Sequence, residues 1–162
     1  MQNHNRAPGI LWTWLTVLLM SLALAGCTVK LVGDYDEHLD KGVSQLQKDV
    51  ETFLVKLESS ADRPEDKVES YDKNKKVYDD FRVAVSVLRV RADSVERGGF
   101  TVGMLDKLSK NLAGLEELHR EGLAKAEIKV IRGTLNAQFR AILTFELAKK
   151  RGEKPTPEGE QK

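Results

Sequence analysis

Apolar residues recur along most of this chain at alternating spacings of three and four, the signature of helices that bury one stripe. The first run is Leu39, Val43, Leu46, Val50, Phe53 and Leu57. Asp34 or Asp36 can cap it, and acids there suit the positive end of the helix dipole. Ser59–Pro64 breaks the pattern, and Pro64 fits the first position of the next helix, with Asp62 or Arg63 near its cap. The second run is Val68, Tyr71, Tyr78, Phe81, Val85, Leu88, Ala92 and Val95, a helix of about 33 residues. Val83, Val87 and Val90 broaden its stripe, which predicts that its second half is the more buried one. The β-branched segment AVSVLRV would also suit a strand, but its charged flanks and helical spacing favour a helix. Gly98-Gly99 should end this helix and Thr101 cap a third, whose stripe is Leu105, Leu108, Leu112, Leu115 and Leu118. Gly122 is the expected stop. A fourth run, Ile128, Ile131, Leu135, Phe139, Ile142 and Phe145, leads to a basic end, Lys149-Lys150-Arg151, and to Gly152 as terminator.

Short connections between amphipathic helices make an antiparallel bundle the economical fold for residues 34–152. The expectation is all-α with four helices, or three if Gly122 only kinks one long final helix. Residues 153–162, EKPTPEGEQK, lack large apolar groups and read as a disordered tail.

The first 33 residues follow a different pattern. Residues 1–9 are polar, with Arg6 as the one charged side chain, and Ile10–Leu24 then runs uncharged. Those 15 residues reach about 22 Å as a helix, short for a membrane span and suited to a secretory signal segment. Leu24-Ala25-Gly26-Cys27 follows and resembles a lipobox, the processing site of bacterial lipoprotein precursors. The other reading is an uncleaved single-span anchor with an ordinary buried cysteine. The resemblance implies cleavage between Gly26 and Cys27, loss of residues 1–26 as a signal helix, and diacylglycerol and palmitate-type acyl chains on Cys27. No other cofactor is expected. Residues 27–33 would be a lipidated tether, apolar enough through Val29, Leu31 and Val32 to lie against the domain. Thr28, where Asp would favour the inner membrane in enterobacterial-type lipoproteins, implies the outer membrane, with the domain in the periplasm or exposed at the cell surface. The segments Val29-Lys30-Leu31, Asp34–Glu37, Asp40–Val43, Leu46-Gln47 and Phe53-Leu54 are also similar to small helical envelope lipoproteins of no assigned activity.

Charge narrows the partners. The chain holds 26 basic and 25 acidic side chains. Loss of Arg6 with the signal segment leaves the mature chain neutral, which gives no electrostatic case for nucleic acid. A single cysteine excludes an intramolecular disulfide. Trp12 and Trp14 both precede the cleavage site, so the mature protein should carry no tryptophan.

Candidate chemistry is sparse. Asp34, Asp36, Glu37, His38 and Asp40 form the densest cluster of metal-capable groups, but without calcium-loop spacing they read as helix-start acids. Glu116 and His119 lie one turn apart, half of a carboxylate-bridged metal motif whose other half is missing. Tyr71 and Tyr78 share a stripe and read as the rim of a core rather than a partner patch. Lys73, Lys75 and Lys76 sit among Asp72, Asp79 and Asp80, a solvated face. No nucleophile motif or phosphate loop is present. The expectation is therefore no catalytic residue and no metal. The functional reading is a membrane-anchored, non-enzymatic lipoprotein of the cell envelope whose bundle binds another protein or has a structural role. The alternative is a carrier of a small apolar ligand or lipid in the bundle interior.

Overall fold

The computed structural model describes Trp12, Trp14 and residues 33–61 and 70–152. The chain divides into two compact units, Met1–Leu31 and Val32–Lys162. The second is built from α1 (Glu37–Ala61), α2 (Tyr71–Ser94), α3 (Gly99–Glu121) and α4 (Lys125–Gly152). The described residues are all-helical, as the 3-4 spacing requires, and Gly122 separates two helices rather than kinking one. It sits at φ 108°, a backbone that side-chain-bearing residues rarely adopt, and its N–H closes on Leu118 O at 3.0 Å. The proposed helix start at Pro64, Val68 and the tail 153–162 lie outside the described residues.

Each helix packs against its two chain-adjacent or ring-adjacent neighbours: α1 on α2 and α4, α3 on α2 and α4. Cross-helix pairs give the directions. Arg89 meets Asp106 at 2.7 Å and Arg82 meets Glu116 at 2.8 Å, so α2 and α3 run antiparallel. On the other side Arg132 of α4 pairs with Glu58 of α1 at 2.6 Å and Asn136, a turn later, with Glu51 at 3.4 Å, so α1 and α4 are antiparallel too. The result is an antiparallel four-helix bundle. One half of its core is aromatic: Phe53 stands edge-on to Tyr78 and Phe81, with ring centroids 5.3 and 5.9 Å apart. The other half is aliphatic, filled by Leu39, Val43, Leu88, Leu105 and Ile142 with Phe139.

Four local expectations need correction. The second helix is shorter than about 33 residues: it covers 24 described residues and ends at Ser94, before the two glycines. Gly98 is instead the N-cap of α3 and Gly99 its first residue. Thr101 therefore does not cap; it lies inside α3 with its hydroxyl buried. Val83, Val87 and Val90 are 63, 61 and 66% exposed. In a helix, residues two apart point about 200° away from each other, so Val83 and Val87 cannot share the face of Val85, which is buried. The stripe of α3 also turns at its end: Leu118 faces outward and His119 takes the core position.

Candidate functional site

Gly26, Cys27 and the lipobox lie outside the described residues. The continuously described stretch begins at Gly33, and this residue is pinned. A Cβ there would come within 2.3 Å of the Glu96 carbonyl oxygen, so only glycine fits against the α2–α3 turn.

The acidic cluster that follows is occupied by local structure. Asp36 Oδ1 accepts the N–H groups of His38 at 2.8 Å and Leu39 at 3.1 Å, the work of an N-cap, while Oδ2 pairs with Arg91 at 2.7 Å. Burial pushes the Asp36 carboxyl up, but Arg91 and the two helix N–H groups outweigh it and hold it below its ordinary value. Asp40 accepts the Tyr35 hydroxyl at 2.9 Å, and Glu37 pairs with Lys41 at 2.7 Å. The hydrogen bond to Asp40 is the main reason that the Tyr35 phenol is pushed up to about 12. Among the described residues no three metal-capable side chains converge.

Glu116 and His119 are engaged separately. Glu116 accepts from Tyr71 at 3.1 Å and from Arg82 at 2.8 Å. His119 Nδ1 shares a 2.7 Å hydrogen bond with the Tyr78 hydroxyl, inside a nest of Phe53, Tyr71 and Tyr78 rings. Tyr78 is buried, and desolvation, followed by the nearby Glu116 charge, pushes its phenol well above the ordinary tyrosine range. These tyrosines close the core at the end of the bundle away from Gly33.

A buried polar cluster is the feature that a stripe ending on Phe145 passes over. On α4, Glu146 and Lys149 have side chains 0 and 3% exposed and pair at 2.8 Å. The Thr101 hydroxyl donates to Glu146 Oε1 at 2.9 Å, and Lys149 Nζ donates to the Thr101 oxygen at 3.2 Å. Glu146 Oε2 has no hydrogen-bond partner. The signal was present: continuing the 4-3 spacing from Leu135, Phe139 and Ile142 lands on Glu146 and Lys149, not on Phe145. A hydroxyl beside an amine suggests a nucleophile and its base. Here the amine is taken up by the Glu146 carboxylate at 2.8 Å, and all three groups are sealed from solvent, so no substrate can reach the Thr101 hydroxyl. The cluster joins α3 to α4 in a fixed register.

The surface offers a different kind of site. A groove of about 240 Å³ opens between α1 and α2 over Leu46, Phe53, Val77, Phe81 and Ala84. Ala84 links this floor to Val83, Val87 and Val90, which form one outward row at spacings of four and three. Together they make an apolar strip along α2 with Asp49, Lys56 and Asp80 on its margins. Among the described residues no helix is long and apolar enough to cross a membrane. No protein-family model, curated protein or solved structure matches the chain.

Proposed function

We propose that this chain is a lipid-anchored protein of the bacterial cell envelope, without enzymatic activity, whose bundle docks a protein partner along α2. The sequence Leu24-Ala25-Gly26-Cys27 behind an uncharged run carries the anchoring half of this reading. Acyl chains on Cys27 hold the protein at the outer membrane, the site that Thr28 favours. A single acyl chain binds a bilayer only marginally, whereas several on one cysteine anchor it stably. The exposed row of Val83, Val87 and Val90 carries the docking half. Contiguous apolar surface at helical spacing is what the apolar face of a partner helix packs against.

The interior supports a partner protein over a small apolar guest. Among the described residues, the space between α2 and α3 has room for about 20 Å³, one water, and the larger spaces between α1 and α2 and between α1 and α4 are open grooves.

Cells fed labelled palmitate test the anchor: wild type should be labelled and shortened by 26 residues, and Cys27→Ala should be neither. A Cys27→Ala protein that is still cleaved and labelled refutes the reading. For docking, a photo-crosslinker at Val87 should give one discrete heavier species that disappears in Val83→Ser/Val90→Ser while the melting temperature holds. A ladder of products, or none, counts against the α2 face.

A further inference from the structure

The end of the bundle at which the chain enters has a chemistry of its own. Gly33 rests on the α2–α3 turn, against Glu96 and Val95. The next helix begins immediately, and its second residue, Phe100, is 64% exposed. Side chains in a helix lean toward its N-terminus, so Phe100 leans outward over that end. Its ring packs on Phe145 of α4 with centroids 4.8 Å apart, and Lys150, further along α4, lies 5.0 Å from the Tyr35 ring centre. Tyr35, Phe100 and Phe145, from three different segments, thus all lie at this end of the bundle. Aromatic rings with a lysine at their margin are the composition of the headgroup–hydrocarbon boundary of a bilayer.

We propose that this end seats on the lipid surface, with Phe100 inserted at the boundary. The proposal rests on the anchored reading, which supplies the position of the membrane. Five residues separate Cys27 from Gly33, a reach of at most about 20 Å over the six steps. A leash that short, pinned at Gly33, holds the Phe100 end beside the bilayer. The end also carries Asp34, Glu37, Asp93 and Glu96 against Arg97, Lys150 and Arg151. That balance gives no net basic patch, so apolar insertion, not attraction to anionic lipid, makes the contact. The consequence for function is orientation: the bundle stands upright on its anchor, with the α2 row facing sideways and the Tyr78–His119 end outward.

The mature chain provides its own optical window, because Trp12 and Trp14 precede the cleavage site. The acylated protein carrying Phe100→Trp is reconstituted into phosphatidylcholine vesicles with and without brominated acyl chains. Val130→Trp, at a residue 70% exposed near the other end of the bundle, serves as the comparison. The Phe100→Trp emission should shift to the blue of Val130→Trp and fall at least twofold in brominated vesicles. Equal emission and equal quenching for the two variants, in protein that floats with the vesicles, overturns the seating and leaves the anchor standing. Protein recovered with residues 1–26 attached and no acyl mass overturns the anchored reading, and the seating with it.

Discussion

The buried pair on α4 gives the sharpest test of how this bundle is held. Lys149→Met removes the ammonium and keeps most of the volume. Glu146, with no exposed side-chain surface, is then left with one hydroxyl contact from Thr101 and an Oε2 that already lacks a partner. Breaking a buried ion pair from one side costs about 3–5 kcal/mol, because the remaining charge is uncompensated. With about 4 °C of melting temperature per kcal/mol for a domain near this size, the loss should be about 12–20 °C. Removing both charges has the opposite outlook. Glu146→Leu/Lys149→Met exchanges two desolvated ions for apolar packing, and such exchanges run from neutral to about 1–4 kcal/mol stabilising. Urea unfolding followed by far-ultraviolet circular dichroism measures all three variants of the cycle, including Glu146→Leu. The reasoning fails if Lys149→Met costs under about 1 kcal/mol, the range of a surface ion pair. It fails equally if the double variant loses the sum of the two single changes, since the partners would then act independently.

Three further outcomes follow from the geometry. Leu88→Ala should cost about 2–5 kcal/mol while Val87→Ala, one residue away and exposed, should stay within about 0.5 kcal/mol, as read by urea midpoints; equal losses would mean that α2 is rotated from the arrangement described. Asp36→Ala removes the α1 cap and should cost about 1–2 kcal/mol at pH 7. Because the Asp36 carboxyl is held below its ordinary value of 3.8, its contribution is present above that pH and vanishes as the pH falls through the lower folded value; the gap between wild type and variant should therefore narrow as the pH is lowered below 3.8, and a gap that does not narrow contradicts the assignment. Absorbance titration near 295 nm should show Tyr35 ionising near pH 12, with Asp40→Asn moving it back toward 10; no movement would mean that the Asp40 hydrogen bond is not the cause.

Much of this protein is written in its periodicity. The spacing of Leu39 to Leu57, of Leu105 to Leu115 and of Ile128 to Ile142 defines the helices and most of the core, because a helix of 3.6 residues per turn offers one face to such a pattern. Gly122 is legible for an equally local reason: a positive φ belongs to glycine. The candidate anchor at Cys27 is likewise a matter of local sequence. Tertiary structure decided what local pattern could not. The stripe through Phe81, Val85 and Leu88 already turns Val83, Val87 and Val90 away from the core; that no described helix covers them there is what the packing decided. Thr101 looked like a cap until α3 began two residues earlier, and its hydroxyl answers to Glu146, 45 residues away. Lys149 read as part of the basic end of the last helix; its burial is tolerable because Glu146 on α4 and Thr101 across the interface take up its ammonium hydrogens, and a polar group is buried where its partners are.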